Sequence, residues 1–354
     1  MDPASMPPYG PARAEKEVRL LAELNALTRH HYEGCPDYHR LMEGLHGGCP
    51  SALRLEAVPF LPVRLFKHRD LLSVPREEVV KVMTSSGTGG QAVSRIHLDK
   101  ATAALQIKVL SSLMVDLIGK QRLPMLVLDA AGTVSDRRRF SARAAGILGF
   151  SMFGRDVTYA LDDRMDLDLG AIEAFLDRHA GEDILLFGFT AILWEHLVRS
   201  LEDSGRKLAI PRGLLLHGGG WKKLQAQAVS NAEFKARLAE ATGIRRVHNY
   251  YGMVEQTGSI FLECEAGRLH ASAFSEVLIR DSVDFSLRAP GEPGLLQLLS
   301  VIPRSYPGHS LLSEDLGEIL GVDDCPCGRE GTTFRVHGRI KDAEVRGCSD
   351  TYAR

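Results

Sequence analysis

Short apolar runs alternate with amphipathic stretches between residues 125 and 241, and this alternation constrains the fold more than any other feature. The apolar runs, each expected to be a buried strand, are 125–128, 183–187 and 213–216. The expected helices are 141–148, 169–178, 190–201 with Thr190 as N-cap, and 222–241. Such alternation is typical of an α/β fold whose parallel sheet is covered on both faces. Ligands bind beyond the carboxyl ends of such strands, which here fall at Asp129, Gly188 and His217.

The sequence on either side of this central region has a different pattern of apolar residues and turns. Helical spacing of apolar residues predicts helices at about 12–29 and 102–118. After about residue 262, short apolar runs at 275–280, 295–299 and 317–320 are separated by glycine and proline turns. We therefore expect a smaller β-rich subdomain at about 263–337.

Bulk composition narrows the function classes. The 354 residues predict two or three structural units, and a net charge of -2 gives no reason to expect nucleic acid as a partner. No apolar run approaches the roughly 20 residues that span a bilayer, so no membrane span is expected. The first residues lack a signal-peptide core, so residues 1 to about 12 are expected to be a disordered leader. Six cysteines are too few for a disulfide scaffold, which favours a reduced, cytoplasmic setting.

A loop rich in serine, threonine and glycine lies between two expected short strands, 79–83 and 94–98. Its candidate ligand-binding residues are Thr84, Ser85, Ser86, Gly87, Thr88 and Gly89. Glycines allow close approach of the backbone, and hydroxyls add donors, so the loop suits the oxygens of a phosphate chain. No Gly-Lys-Ser/Thr follows, so it is not a Walker loop. A plain hairpin turn is the alternative.

Two further motifs carry glycine, aromatic and acidic residues. His217, Gly218, Gly219 and Gly220 follow a buried strand, where they permit close approach of a flat ligand or form a turn with positive φ. Glu255 is expected in a loop, 248–256, after a strand at 245–247. A carboxylate beside phosphates can bind Mg²⁺, whereas the alternative is a surface glutamate beside core aromatics.

Two charged segments lie near the end of the sequence. Asp315 is expected in an acidic turn, 313–317, where a carboxylate suits the hydroxyls of a ribose; an ordinary turn is the alternative. Arg339 and Lys341 lie in a charged segment between Gly338 and Gly347, for which a solvated hairpin is the alternative.

Together these motifs resemble, in order and spacing, those of the adenylate-forming enzymes, the superfamily of acyl-CoA synthetases and firefly luciferases. The loop at 84–90 is similar to their phosphate loop, and residues 251–255, with Tyr251 and Gly252, are similar to their Tyr-Gly-x-Thr-Glu. Asp315 is similar to their ribose aspartate, and Gly338-Arg339 to their hinge. Segments 250–260, 305–309 and 346–352 more specifically resemble the acyl-protein synthetase family, the ligase component of the fatty acid reductase complex of luminous bacteria.

The resemblance implies the large N-terminal domain of these enzymes at 1–337 and a hinge and tail at 338–354. Seven residues follow Gly347 in this sequence, so the superfamily's mobile C-terminal domain, with its catalytic lysine, is expected to be absent. Two departures stand out: the phosphate loop lacks the usual Pro-Lys, and Val254 replaces the usual threonine.

The implied reaction uses ATP and Mg²⁺ to convert a carboxylic acid, expected to be a long-chain fatty acid, to acyl-AMP. Glu255 would bind Mg²⁺, Gly218–Gly220 and Tyr251 would flank adenine, and Asp315 and Arg339 would hold the ribose. Lys341 would act at the hinge and reach the phosphates. An acid:CoA ligase, a loader of acyl-carrier protein and a non-catalytic nucleotide-binding subunit remain alternatives.

Cys348 follows the hinge, and Arg346 beside it favours the thiolate, a good nucleophile for acyl transfer. By the same resemblance it would accept the acyl group and pass it to a partner reductase of the acyl-CoA reductase type. A free surface cysteine is the alternative.

The remaining cysteines include a candidate metal set. Cys325 and Cys327 form a Cys-x-Cys pair, a weak signal alone, and Cys264 with His270 could complete a Cys₃His zinc set. Ordinary reduced cysteines are the alternative.

Overall fold

The protein was analysed as a computed structural model that describes residues 6–85, 92–135 and 142–340. The α-helices are α1 Arg13–Gly34, α2 Pro36–His46, α3 Leu65–His68, α4 Lys100–Ile118, α5 Gly132–Ser135, α6 Ala142–Ser151, α7 Leu169–Arg178, α8 Thr190–Ile192, α9 Ser200–Ser204 and α10 Asn231–Thr242. A π-helical segment, Leu193–Arg199, joins α8 to α9. Short 3₁₀ turns are Leu55–Ala57, Arg76–Glu78, Lys222–Gln227 and Val254–Gln256.

The strands, in chain order, belong to sheets in two compact units. They are β1 Leu61–Pro62, β2 Val79–Thr84, β3 Arg95–Asp99, β4 Leu123–Ala130, β5 Gly154–Leu161, β6 Ile184–Phe189, β7 Gly213–Gly218, β8 Arg246–Tyr251, β9 Phe261–Glu263, β10 Leu269–His270, β11 Ser275–Arg280, β12 Gly294–Ser300, β13 Ser310–Val322 and β14 Thr332–Arg339. The described residues of the first unit are 6–85, 92–117 and 251–340, and those of the second are 118–135 and 142–250.

The second unit contains the expected parallel sheet, in the strand order β8-β7-β6-β4-β5, with every pairing parallel. Gly188 pairs with His217, and Gly218 with Tyr250, so the carboxyl ends of these strands align. Its core residues include Leu126, Leu186 and Leu215, which are almost fully buried. Strand β5 was not predicted, because its half-exposed Gly-Arg-Asp-Val-Thr-Tyr sequence lacks a continuous apolar run.

Two helix predictions in this unit need correction. Thr190 does not cap a helix: its Oγ1 lies 3.0 Å from Nδ1 of His217 and donates to the carbonyl oxygen of Gly218. The predicted helix at 222–241 is wrong before residue 231, because Lys222–Gln227 forms a 3₁₀ turn and residues 228–230 are not helical. The α-helix starts at Asn231 because Ser230 caps it, its Oγ accepting from Glu233 N at 3.1 Å.

The first unit contains a mostly antiparallel sheet in the order β11-β12-β13-β14-β10-β9, with β1 added in parallel to β13. The inner strands are apolar, and Phe261, Leu298 and Phe334 are fully buried in its core. Strands β2 and β3, both of which were predicted, pair antiparallel as a separate hairpin in the same unit. The acidic turn expected at 313–317 is wrong: these residues lie within the 13-residue strand β13.

The expectation of a disordered leader is wrong for residues 6–12. The ring of Tyr9 is 7% exposed, and the carbonyl oxygen of Pro8 accepts a hydrogen bond from Ala273 N at 2.7 Å. Helix α1 then extends beyond the predicted 12–29, and α2 was not predicted. Buried contacts of single residues, which periodicity does not reveal, hold this segment in place.

Helix α4 is, among the described helices, the one long and apolar enough to cross a membrane by length and composition alone. This is weak evidence, since core helices meet the same criterion. One side of α4 is fully buried within the first unit through Leu113 and Met114.

Candidate active site

Three of the residues singled out from the sequence contact one another in the first unit. The hydroxyl of Tyr251 donates to Oδ2 of Asp315 at 2.7 Å, and Nε of Arg339 lies 3.4 Å from Oδ1 of the same carboxylate. Strand pairing creates this arrangement, because Asp315 and Arg339 are direct partners across β13 and β14. The Asp315 side chain is 17% exposed and that of Arg339 37% exposed, so both can still reach a ligand.

The electrostatics of this trio favour a neutral phenol beside a carboxylate. Burial, followed by the charge of Asp315, raises the pKa of Tyr251 well above its usual value. Burial also raises the pKa of Asp315, while the hydrogen bond from Tyr251 and the charge of Arg339 oppose that rise. Tyr251 therefore donates and Asp315 accepts, an arrangement that suits recognition of hydroxyl groups.

Glu255 lies in the 3₁₀ turn Val254–Gln256 of the same unit and is 7% exposed. The side chain of Gln256 fixes this turn by donating to the carbonyl oxygens of Leu298 and Gly308, at 3.1 and 2.9 Å. Gln256 was not identified from the sequence, although its place beside an expected metal ligand was a usable signal. The turn gives Glu255 a defined position near the end of β8.

The start of the Ser/Gly loop is next to this turn. Sδ of Met83, the residue before Thr84, lies 3.7 Å from Oγ1 of Thr257. Ser85 closes the β2–β3 hairpin: its N–H donates to Ser94 O and its Oγ accepts from Ser94 N, at 3.1 and 2.9 Å. No described residue accepts the proton of its hydroxyl group. The other loop residues, Ser86, Gly87, Thr88 and Gly89, lie outside the described residues.

In the second unit, His217 is the second-to-last residue of β7, and it is only 2% exposed. Its ring centroid lies 4.9 Å from that of Phe234 in α10. Burial, with smaller effects of Lys235 and His248, lowers the pKa of His217 to about 3, so the imidazole is neutral at physiological pH. Its Nε2 is buried without a hydrogen-bond partner among the described residues.

The glycines of the candidate site differ in what they permit. A Cβ on Gly218 would lie 2.5 Å from the Tyr250 ring, and a Cβ on Gly252 3.1 Å from Cδ1 of Ile260, so both allow internal packing. Gly219 has φ +77°, which side chains rarely adopt. Gly220 has open space where a Cβ would lie. Of these glycines, only Gly220 leaves room for a ligand to approach the backbone closely.

The loop predicted at 248–256 is wrong in its first part, because His248 and Tyr251 lie within β8. The segment after Arg339 begins in an ordered way: Ile340 N donates to Glu314 O at 3.1 Å. Lys341 and Cys348 lie outside the described residues. The residues of the ribose-binding prediction are thus described, whereas Lys341 and Cys348, on which the hinge and acceptor predictions depend, are not.

Four residues of the candidate metal set converge elsewhere in the first unit. One ligand atom from each of Cys264, His270, Cys325 and Cys327 lies within 4.8 Å of the others. In the second unit, Asp129 pairs with Arg143, a residue not predicted from the sequence, whose Nε donates to Oδ2 of Asp129 at 2.6 Å. An arginine in the otherwise apolar helix α6 was the signal for this buried pair.

Comparison with known proteins identifies relatives over nearly the whole chain. A family model described as acyl-protein synthetase, LuxE, matches residues 6–354. A long-chain-fatty-acid–luciferin-component ligase of Vibrio harveyi is 24% identical over 333 residues, which cover 91% of this chain and 84% of the relative. The ligase of the same name from Aliivibrio fischeri is 23% identical over 307 residues, 83% of this chain and 78% of the relative.

Solved structures share the fold. A 2-hydroxyisobutyryl-CoA ligase in the postadenylation state matches with a TM-score of 0.67 and 19% identity, over 95% of this chain and 70% of that one. A long-chain-fatty-acid-CoA ligase from Archaeoglobus fulgidus matches with a TM-score of 0.51 and 14% identity, over 75% and 52%. The fold is therefore the expected α/β fold of the adenylate-forming ligases. Because the family model covers residues 6–354, the chain belongs to the acyl-protein synthetase family.

Proposed function

We propose that the protein is an ATP-dependent ligase that activates a long-chain fatty acid to its acyl-adenylate. The contact among Tyr251, Asp315 and Arg339 is the observation that carries this proposal. It offers a partly exposed carboxylate with a fixed orientation, which is what a pair of ribose hydroxyls requires. The names of the curated relatives, which are fatty-acid ligases, support the choice of acid.

Formation of the acyl-adenylate requires that the reacting groups be positioned and that the developing charge be stabilised. A carboxylate oxygen of the acid attacks the α-phosphorus of ATP, the bond to the bridging oxygen breaks, and pyrophosphate leaves with the electron pair. Negative charge builds on phosphate oxygens, so preorganised donors and cations supply most of the rate enhancement. Backbone N–H groups and hydroxyls of residues 84–90 are assigned to the β- and γ-phosphates.

Glu255 is assigned to Mg²⁺, which supplies charge neutralisation to the phosphates when bound. The residues present fit this role, since a carboxylate held by a fixed turn lies in the same unit as the start of the phosphate loop. Glu255, Asp315 and the loop together provide both the negative and the polar groups that ATP·Mg²⁺ needs.

Adenine and the hinge receive further assignments. Gly218–Gly220 of the second unit are assigned to the adenine, with the open space at Gly220 as support. Neutral, buried His217 is assigned to the packing below these glycines rather than to proton transfer. Lys341 is assigned to the hinge and to the phosphates.

The acyl group is then transferred to a thiol. The thiolate of Cys348 attacks the acyl carbon, a thioester forms, and AMP leaves as the phosphate oxygen takes the electron pair. A partner enzyme that reduces acyl thioesters would accept the group. Membership of the acyl-protein synthetase family supports this acceptor.

Acid-dependent exchange of labelled pyrophosphate into ATP tests the first half-reaction. Exchange is expected with long-chain fatty acids, and its absence across a broad panel of acids, with folded protein, would contradict the proposal. Labelling with radioactive fatty acid and ATP tests the second step, with Cys49→Ser as a matched control for Cys348→Ser. Covalent label should disappear only in Cys348→Ser; label that persists there indicates another acceptor, and soluble acyl-CoA as the product indicates a CoA ligase.

A further inference from the structure

Two tight turns of the first unit bring three thiols and one imidazole together. Cys264 opens the turn between β9 and β10, where Cys264 N donates to Arg268 O at 2.9 Å, and His270 ends β10. Cys325 and Cys327 lie in the turn between β13 and β14, closed by Gly328 N donating to Cys325 O at 3.0 Å. The turns meet because β10 and β14 are paired, with His270 opposite Thr333.

Two of the distances among these groups match a tetrahedral metal centre, and all four ligand atoms lie within 4.8 Å of one another. Sγ of Cys264 lies 3.7 Å from Sγ of Cys325, and Sγ of Cys327 lies 3.5 Å from Nε2 of His270. For zinc bonds of about 2.3 Å to sulfur and about 2.0 Å to nitrogen, tetrahedral geometry places ligand atoms roughly 3.5–3.8 Å apart. A disulfide would need sulfurs about 2.05 Å apart.

We propose that Cys264, His270, Cys325 and Cys327 bind one zinc ion. This ion holds the β9–β10 turn and the β13–β14 turn of the first unit together. Soft thiolates with one imidazole select zinc over magnesium or calcium, and four protein ligands leave no position open for water or substrate. The site is therefore structural. Binding releases the three thiol protons to solvent, and His270 coordinates through Nε2 while Nδ1 keeps its proton.

The site also fixes residues that lie far away in sequence. The ring of Tyr9 packs edge-on against His270, with centroids 5.8 Å apart, and the guanidinium of Arg329 lies 4.7 Å from the Tyr9 ring. Arg329, two residues after Cys327, also forms an ion pair with Asp116 of α4 at 2.9 Å. A turn set by zinc thus positions the residues that hold both the segment 6–12 and the end of α4.

The same turn receives the first residues of α1. Oδ2 of Asp323 accepts from Arg13 N at 3.0 Å, which satisfies an N–H group at the start of that helix. Lys16, buried on α1, pairs with buried Glu276 at 2.9 Å. Removal of the metal is therefore expected to loosen α1 at its start, and to expose Arg13 and Lys16.

Metal analysis of the full-length protein, purified without chelator, tests the proposal directly. One zinc per chain is expected in the wild-type protein and in Cys49→Ser, whose thiol is exposed. Cys327→Ser should lose the zinc. Cobalt substitution should give the d–d absorption of a tetrahedral thiolate site in the wild-type protein and in Cys49→Ser, and not in Cys327→Ser. Wild-type protein with no more zinc than Cys327→Ser, after growth with zinc, would overturn the proposal.

Limited trypsin digestion tests the link to α1, and does not depend on ligase activity. Chelation of the wild-type protein should produce early cleavage at Arg13 and Lys16, which added zinc reverses. Tyr9→Ala should keep its zinc yet show the same cleavage without chelator, even if Cys327→Ser fails to fold. Identical digestion patterns before and after confirmed loss of zinc would refute this part.

Discussion

The two ends of the β13–β14 hairpin carry polar groups of opposite character. At one end Asp315 faces Arg339, and both side chains remain partly exposed. At the other end the turn presents Cys325 and Cys327 to two further buried ligands, and Cys264 and His270 are 0% exposed. The open end leaves a carboxylate and a guanidinium partly exposed, whereas the closed end gathers four candidate ligand atoms within 4.8 Å of one another. One strand pair thus supports the proposed chemistry and the proposed metal site.

The largest expected loss of activity follows Glu255→Gln. The change keeps the shape of the side chain but removes the charge assigned to Mg²⁺. Acid-dependent exchange should fall by about 10²–10³-fold, the range for loss of one preorganised electrostatic group. The rate of exchange, measured at saturating ATP and Mg²⁺, provides the check. A rate within threefold of wild type would show that the carboxylate does not act in the reaction.

Asp315→Asn should cause the next largest loss. The amide cannot accept two charge-assisted hydrogen bonds, so we expect kcat/KM for ATP to fall by about 10- to 100-fold, as for loss of 1.5–3 kcal/mol. Glu318→Gln, on the same strand, is the matched control and should leave the value unchanged. Cys327→Ser tests the opposite end, and below its unfolding temperature it should keep exchange within about twofold. Equal losses in all three variants would contradict the contrast between the ends.

Tyr251→Phe is expected to have a smaller effect. It removes only the hydrogen bond to Asp315, so KM for ATP should rise by about three- to tenfold, with little change in kcat. Steady-state kinetics with varied ATP measure this split. A fall in kcat with unchanged KM would argue that the phenol acts on the reacting groups.

The last expected effect concerns stability at acid pH rather than catalysis. His217 is neutral in the folded protein because burial lowers its pKa to about 3, against about 6.5 when unfolded. Below pH 6.5 the unfolded chain binds more protons, so the stability contributed by neutral His217 is lost progressively as pH falls towards 3. His217→Gln should flatten the fall in free energy of unfolding between pH 6.5 and 4. The same slope as wild type, from urea titrations, would contradict a buried neutral imidazole.

The sequence predicted those parts of the fold that depend on local pattern. Continuous apolar runs identified β4, β6 and β7, and helical spacing identified α4 and α7. Strand β5 was missed because its residues are half-exposed. The order of residues 6–12 was missed because it depends on contacts of Tyr9 with residues more than 250 positions later.

The sequence indicated the chemical type of the candidate site residues better than the secondary structure in which they lie. Asp315 was expected in a turn but lies in a long strand, since its partner Arg339 lies on the neighbouring strand rather than nearby in sequence. The role of Gly218 was also hidden, because its close contact is with the ring of Tyr250. Patterns of residue type identify chemical groups, whereas strand pairing decides which groups meet.

Acid-dependent exchange between labelled pyrophosphate and ATP, measured with a long-chain fatty acid, tests the proposed activation most directly. Wild-type protein should exchange only when ATP, Mg²⁺ and the acid are all present, and Glu255→Gln, folded and with its zinc retained, should exchange about 10²–10³-fold more slowly. Folded wild-type protein that binds ATP but shows no exchange with any acid, even with a reductase partner present, would contradict the account. That result would indicate a nucleotide-binding subunit without ligase activity.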